Sequence, residues 1–368
     1  MRIITEELVQ DTQKKDMLRD LAAYQNDIYL YGAGLHANCI VNWYCNPHNI
    51  KWEGAVVDDA YYIEGMTFRG KPIYPLSSLH KRECPFILII SMGGYLAASE
   101  RVLQQAFSHM DSLLQLDASS SFWEASDMTY QRAMDNKDVL NKLGEALADD
   151  LSRDILVAFL NSRISGRPDY LTKFSVPNQY FPKDLMRLSD LEVVYDCGAY
   201  AGDTLEDYLS VSGGKFCKYI AIEPEINNAQ QLKALVKAKN LHSVDIINKG
   251  LWSAEAVLKI SQKGTCATIS DSGEGTPIEV TTLDHIQKLL NIPCTLLKMD
   301  IEGAELKALY GGEWMIRNDK PKLAINVCHR PEDLLTIPQL IISFNPNYKL
   351  YLRHHSPEFA AEMVLYAI

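Results

Sequence analysis

Short apolar runs alternate with amphipathic segments along the first third of the chain, a pattern typical of parallel strands covered by helices. Residues 28–31, 54–57 and 86–90 form three such runs. The first run is followed by the turn Gly32-Ala33-Gly34 and then by helical periodicity. We therefore predict a small Rossmann-like α/β domain over residues 1–117.

The strand pattern stops after that domain and returns near residue 192. Between residues 118 and 174 the apolar positions recur at helical spacing, as in residues 141–161, which predicts a helical connector. Five further apolar runs then alternate with helical segments, at residues 192–196, 219–223, 244–248, 295–300 and 322–327.

The end of the chain breaks the alternation. Two strand-like runs, 348–354 and 362–368, are separated by a loop too short for a crossover helix, so they should pair antiparallel. A parallel sheet that closes on a hairpin is the layout of class I methyltransferases rather than of nicotinamide-binding domains. We predict such a domain over residues 175–368.

Composition and charge narrow the function. The chain has 368 residues, 47% of them hydrophobic and 23% charged, as in globular proteins with two cores. A formal net charge of -11 argues against non-specific binding to nucleic acid or anionic membranes, which are themselves negative. The longest apolar run, residues 85–92, is far shorter than the roughly 20 residues of a membrane span.

Cellular location is predicted from the terminus and the cysteines. The first twenty residues lack the apolar core of a secretory signal. The eight cysteines occur singly, without CxxC pairs, which predicts buried reduced thiols. We expect a cytoplasmic protein, with homo-oligomerisation left open.

The segment from Asp196 to Thr204, DCGAYAGDT, directly follows the first strand of the second α/β region. Its small residues let a ligand approach the backbone where open α/β sheets bind ligands. Asp203 would repel the pyrophosphate of a dinucleotide, whereas S-adenosylmethionine carries a sulfonium and an ammonium. The segment therefore favours the methyl donor; the alternative is a glycine turn whose Asp203 and Thr204 only cap a helix.

Two further motifs follow later strands. Glu223 precedes Pro224, and an acid there can accept the ribose hydroxyls of an adenosine, although acids after strands are also common on surfaces. Asp300, Glu302 and Glu305 lie close together after the fourth strand and need a cation, a helix dipole or hydrogen bonds to offset their repulsion. The candidate cations are Lys298, the sulfonium, a protonated His329 and a divalent metal.

The ordered set of motifs resembles the FkbM family of methyltransferases. The resemblance rests on the DxGAxxGDT turn, the Glu-Pro pair, Gly250-Leu251-Trp252, Thr282-Leu283-Asp284, the KMDIEGAE segment and the strand that runs into His329. It covers about residues 179–368. It implies a Rossmann-like sheet, S-adenosylmethionine as donor, and a hydroxyl acceptor on a sugar, glycan or related metabolite.

The resemblance also implies site residues by position. Asp196, Gly198, Asp203 and Thr204 would contact the methionine part, Glu223 the ribose, and Gly250 and Leu251 the adenine side, with Ala199 and Pro224 completing the cofactor site. Asp300, Glu302 and His329 are the candidate catalytic residues, any of which could accept the hydroxyl proton. A divalent metal bound by the Asp300 and Glu302 carboxylates, which would polarise the hydroxyl, is an open alternative, although one acidic motif and one histidine are not a diagnostic set of metal ligands.

The amino-terminal domain has a weaker signal. Its turn Gly32-x-Gly34-x-x-Ala37, with Asp58 further on, fits a short dinucleotide fingerprint, but such turns recur widely. Docking or a vestigial role and nucleotide binding both remain open. Two rival functions follow for the whole chain: a nucleotide-sugar oxidoreductase that uses this domain, and a metabolite sensor without catalysis.

Overall fold

The chain divides into two compact units. The computed structural model describes residues 2–9, 17–116, 129–167, 169–263, 266–270, 275–330, 332–357 and 362–368. The first unit comprises residues Met1–Gly144, Arg153–Ser175 and Ser356–Ala361, and the second comprises Glu145–Ser152, Val176–His355 and Glu362–Ile368. The predicted domain boundaries stay predictions. Residues 118–128 and residue 168 of the predicted connector lie outside the described residues.

The first unit contains a six-stranded sheet. In chain order its elements are α1 (Met17–Ala23), β1 (Asp27–Tyr31), α2 (Leu35–Ile40), β2 (Gly54–Val57), β3 (Thr67–Phe68), β4 (Lys71–Pro75), β5 (Phe86–Ile90), α3 (Tyr95–Gln104) and β6 (Met110–Gln115). The strand order is β3-β4-β2-β1-β5-β6, and every pair is parallel except β3 with β4. The chain continues through α4 (Tyr130–Asp135), α5 (Lys137–Ala146), α6 (Asp150–Ser165) and α7 (Asp169–Thr172).

Burial on both faces explains the apolar runs of this sheet. Ile28 and Leu30 pack into one core cluster, whereas Tyr29 and Tyr31 pack into another on the opposite face of β1. All five residues of β5 are buried. Parallel strands covered by helices require this continuous hydrophobicity, and the three strands predicted in this region are confirmed.

Contacts within the protein account for the glycine turn after β1. Gly32 has φ +117°, and a Cβ there would stand 2.7 Å from the carbonyl oxygen of Ser91. The Asp58 carboxylate accepts a hydrogen bond from the Tyr31 hydroxyl and lies 3.6 Å from Arg101 Nε. These contacts explain why a glycine stands at position 32 and an aspartate at position 58 without requiring a bound nucleotide. Nucleotide binding by this unit stays a prediction.

The second unit contains a seven-stranded sheet built on the predicted plan. Its elements are β7 (Val193–Cys197), α8 (Asp203–Ser212), β8 (Lys218–Ile222), α9 (Ile226–Ala238), β9 (Val244–Ile247), β10 (Gly250–Leu251), β11 (Ala256–Lys263), β12 (Cys266–Ser270), β13 (Thr276–Thr281), α10 (Leu283–Leu290), β14 (Leu296–Met299), α11 (Glu305–Tyr310), α12 (Glu313–Asp319), β15 (Lys322–Asn326), α13 (Asp333–Phe344), β16 (Leu350–His354) and β17 (Met363–Ala367). The strand order is β16-β17-β15-β14-β7-β8-β9.

The closing hairpin is confirmed. Strand β17 inserts between β15 and β16 and pairs antiparallel with both, whereas β15, β14, β7, β8 and β9 are mutually parallel. All five residues of β17 are buried, so the hairpin completes the core rather than fraying from its edge. The predicted Rossmann-like methyltransferase sheet is therefore present.

A second, four-stranded sheet was not predicted. It has the order β10-β13-β11-β12 and lies between β9 and α10 in the sequence. Gly250 and Leu251 form its shortest strand, and a Cβ on Gly250 would stand 2.7 Å from Ile269. Gly250 is thus explained by packing inside this sheet.

Among the described residues, we find no helix with the length and hydrophobicity that a bilayer crossing requires.

Candidate active site

A cavity of about 430 Å³ opens where the carboxyl ends of β7, β8 and β14 meet. Of the predicted cofactor residues, it is lined by Gly198, Asp203, Thr204, Glu223, Pro224 and Leu251. Of the predicted catalytic residues, Asp300 and Glu302 line it. The chain therefore brings together residues that are separated by more than one hundred positions, at the edge where open α/β sheets bind ligands.

The loop after β7 must contain a glycine at position 198. Gly198 has φ +85°, and a Cβ there would overlap the carbonyl oxygen of Asp300 and stand 2.9 Å from its carbonyl carbon. The Asp300 N–H donates to the carbonyl oxygen of Cys197 over 3.0 Å, so the loops after β7 and β14 are joined by backbone. Gly198 thus allows two cavity-forming loops to touch.

Asp196 lies beneath the cavity rather than in its lining. Its side chain is fully buried, with one oxygen 3.0 Å from Lys298 Nζ and the other accepting from the Tyr219 hydroxyl over 2.8 Å. Lys298 Nζ also donates to the carbonyl oxygen of Gly198 over 2.8 Å. Burial opposes the charge of Lys298, but the carboxylates of Asp196, Asp300 and Asp203 together outweigh burial and raise the pKa of the lysine. The Asp196–Lys298 ion pair therefore fixes the position of the turn at Gly198 through the hydrogen bond from Lys298.

Glu223 joins two loops as well as lining the cavity. Its carboxylate accepts hydrogen bonds from the backbone N–H groups of Tyr200, over 3.0 Å, and Glu225, over 2.9 Å. Burial raises the pKa of this carboxyl, whose residue is only 6% exposed. Oε1 also accepts a hydrogen bond from Asn228 Nδ2 over 3.5 Å, whereas Oε2 keeps a second lone pair for the predicted bond to a ribose hydroxyl.

Two of the predicted cofactor residues, Ala199 and Gly250, do not line the cavity and are packed inside the protein. Ala199 is fully buried, and Gly250 lies in the small sheet next to Ile269 and Val280. Leu251, the neighbour of Gly250, does line the cavity. Direct contact of Ala199 and Gly250 with a cofactor stays a prediction.

The acids that follow β14 surround His329, which follows β15. The imidazole Nδ1 lies 2.8 Å from Glu305 Oε1, and Nε2 lies 3.2 Å from Asp300 Oδ1 and 3.7 Å from Glu302 Oε2. Glu305 is the first residue of α11, whereas Glu302 precedes the helix with φ +54°. Of the two glutamates, only Glu305 therefore lies in the first turn of the helix.

The charges in this cluster stabilise one another. Burial opposes the protonated form of His329, but the carboxylates of Glu305 and Asp300 outweigh burial and raise its pKa well above the usual value. Burial would raise the pKa of Asp300, but His329 and Lys298 lower it. A protonated imidazole has no lone pair, so His329 must first lose a proton before it can act as a base.

The sequence motifs did not predict three of the residues that line the cavity, Gln179, Tyr180 and Glu362. The Tyr180 hydroxyl donates to Asp300 Oδ2 over 2.5 Å, and its ring centroid lies 5.0 Å from Lys298 Nζ. Gln179 Nε2 donates to Glu362 Oε2 over 2.5 Å, and both residues line the cavity. Because these residues lie in loops outside the motifs, only the folded chain reveals them.

The sheet order, the antiparallel hairpin and the cavity at the carboxyl edge define the class: a Rossmann-like methyltransferase fold. A crystal structure of methyltransferase FkbM from Methylobacillus flagellatus KT has this fold, with a TM-score of 0.77 and 24% identity over 99% of this chain and 97% of that one. Residues 196–353 match the family described as the methyltransferase FkbM domain. The match to the FkbM domain lies within the second unit.

Other similarities are more distant. A fibrillarin from Aeropyrum pernix, solved with natively bound S-adenosyl-L-methionine, has a TM-score of 0.33 and 12% identity over 50% of this chain and 71% of that one. An rRNA methylase from Streptococcus thermophilus has a TM-score of 0.33 and 12% identity over 49% of this chain and 87% of that one. Neither alignment bears on the function of this chain. No curated protein matches it.

Proposed function

We propose that the chain is an S-adenosylmethionine-dependent O-methyltransferase that acts on a hydroxyl of a sugar, glycan or related metabolite. The observation that carries the proposal is the cavity at the carboxyl edge of an FkbM methyltransferase domain, which combines a glycine turn with an acidic lining. The turn admits a ligand close to the backbone, and the acids suit a cationic donor.

The charge of the lining selects among adenosine cofactors. Asp203 lies at the start of α8, where a dinucleotide would place its pyrophosphate. Like charges at that point repel, whereas the sulfonium and ammonium of S-adenosylmethionine are attracted. Glu223 follows β8 and lines the same cavity, and its carboxylate would accept the ribose hydroxyls of the donor.

The transfer needs a hydroxyl held in line with the sulfonium methyl group. Holding two reactants in this way can supply roughly 7–11 kcal/mol of the barrier. Asp300 and Glu302 line the same cavity and carry carboxylates that can accept the hydroxyl proton, and Tyr180 fixes the orientation of Asp300. His329 Nε2 lies 3.2 Å from Asp300 Oδ1 and 3.7 Å from Glu302 Oε2, and the imidazole lowers the pKa of Asp300.

Mass spectrometry of a native cell's glycans and nucleotide-sugars, with and without the gene, tests the proposal. We expect one species to lose the mass of a methyl group when the gene is absent, and the purified chain with methyl-labelled donor to restore it. Binding of the donor with no methylated species in cells or extracts would instead indicate a sensor. Reduction of a nicotinamide by the purified chain would indicate an oxidoreductase.

A further inference from the structure

Two side chains that line the cavity, Asp300 and Glu302, converge with His329 as a possible set of metal ligands. Asp300, Glu302 and His329 each offer one ligand atom, and these atoms all lie within 4.8 Å of one another. The distances from His329 Nε2 to the two carboxylate oxygens are 3.2 and 3.7 Å. Ligand atoms at right angles around an ion with bonds of about 2.1 Å are about 3 Å apart, so small side-chain shifts would complete the geometry.

The Nδ1 atom of His329 contacts a carboxylate, as the second nitrogen of metal-bound histidines commonly does. It lies 2.8 Å from Glu305 Oε1, and the backbone N–H of Ile301 donates to the same oxygen over 2.8 Å. A carboxylate that fixes Nδ1 leaves Nε2 directed at the ion, and such supporting carboxylates orient metal-bound histidines in general.

The charge of the surroundings points independently to a cation. Seven acidic side chains line the cavity against two lysines, and one of these lysines, Lys298, is paired with Asp196. The methyl donor has a net charge of only +1, and a protonated His329 adds one further positive charge, so most of this negative excess remains. Glu305, fully buried, also has one carboxylate oxygen with no hydrogen-bond partner among the described residues. A divalent ion beside these groups would compensate the excess.

We propose that Asp300, Glu302 and His329 bind a divalent cation, with Glu305 as the residue that positions the imidazole. Two carboxylates and one imidazole suit an ion that accepts both oxygen and nitrogen, such as Mn²⁺. Three protein ligands leave positions for water and for one oxygen of a substrate. Because Asp300 and Glu302 line the cavity, those positions face the space in which a ligand binds.

The role of the ion, unlike its binding, rests on the proposed function. A hydroxyl bound to the cation loses its proton more readily, as water does on a metal ion. In the transfer the bond between methyl carbon and sulfur breaks with its electrons on sulfur, and a bond between that carbon and the hydroxyl oxygen forms. With Asp300 and Glu302 acting as ligands of the ion, the hydroxyl proton passes to solvent instead of to either carboxylate. S-adenosylhomocysteine and the methyl ether are the products.

Mn²⁺ binding to the full chain, freed of metal by chelation and without methyl donor, tests the proposal by electron paramagnetic resonance of free Mn²⁺. We expect one ion per chain, and at least tenfold weaker binding in Glu302→Gln and His329→Ala. Glu305→Gln should weaken binding by roughly 10–100-fold, as is usual for residues that support a ligand. Asp207→Asn removes an exposed acid from the same cavity wall and should bind Mn²⁺ as the wild type does.

Circular dichroism establishes that each variant is folded, and Glu302 provides the safest test because its side chain is 37% exposed. No bound Mn²⁺ in the wild type, or equal binding in Glu302→Gln and Asp207→Asn, would overturn the metal site. Calorimetry with S-adenosylmethionine on the same samples separates the two proposals. Donor binding without Mn²⁺ binding refutes only the metal site, and Mn²⁺ binding without donor binding refutes only the proposed function.

Discussion

Gly198→Ala should damage both stability and the cavity, because position 198 is where the loops after β7 and β14 touch. The backbone there has φ +85°, which costs an alanine about 1 kcal/mol. The added Cβ would also overlap the carbonyl oxygen of Asp300, so one loop must move. Overpacking of this kind typically costs about 1–3 kcal/mol. We expect a total loss of about 2–4 kcal/mol in the free energy of unfolding.

Gly213→Ala is the matched control. Gly213 follows α8 with φ +64°, and a Cβ there would meet no atom within 4 Å. It therefore has the backbone strain of Gly198→Ala without the overlap, and should cost about 1 kcal/mol.

Urea unfolding of both variants measures the difference in their free energies of unfolding. Calorimetry with S-adenosylmethionine measures how strongly the cavity of each variant binds the donor. Gly198→Ala should lose donor affinity by at least tenfold, since the displaced loop carries Tyr200 and Asp203, whereas Gly213→Ala should bind normally. Equal stability and equal donor affinity in the two variants would show that the contact between the loops does not shape the site.

Three further predictions follow from charges in the second unit. Lys298→Met should lower the free energy of unfolding, measured with urea, by about 3–5 kcal/mol, because it leaves the Asp196 carboxylate buried without its cation. The control Lys215→Met, at an exposed ion pair, should lower it by about 1 kcal/mol or less. Equal losses in the two variants would contradict this prediction. Burial lowers the pKa of His355 from 6.5 to about 4, so the folded protein binds this proton less readily than the unfolded chain does. The neutral imidazole therefore contributes about 3 kcal/mol to the free energy of unfolding above pH 6.5, and this contribution should be lost as the pH falls towards 4. His355→Gln should flatten that part of the profile of unfolding free energy against pH, and an unchanged slope would refute the assignment. Asp203→Lys should weaken S-adenosylmethionine binding at least tenfold in calorimetry without weakening NADH binding, and the reverse order would argue against the donor.

The sheet could be predicted because its evidence is local. Strands such as β5 and β7 are buried on both faces and therefore appear as continuous apolar runs. The closing hairpin follows from the short distance between its two strands. In contrast, β10 has only two residues, and the small sheet that contains it gave no comparable run.

The site could be predicted only in part because its contacts join distant segments. The motifs located Gly198, Glu223 and Asp300 at strand ends, and all three line the cavity. The sequence could not show that Asp196 is buried beneath Lys298, because that depends on the neighbouring strand β14. Nor could it show that Tyr180 contacts Asp300, since the two residues are 120 positions apart.

A crystal structure of the full chain grown with S-adenosylhomocysteine tests the central claim most directly. The account predicts density for the product in the cavity, with its ribose at Glu223 and its amino-acid part beside Gly198 and Asp203. An empty cavity at saturating product, or product bound at the Gly32 turn of the first unit, would contradict it.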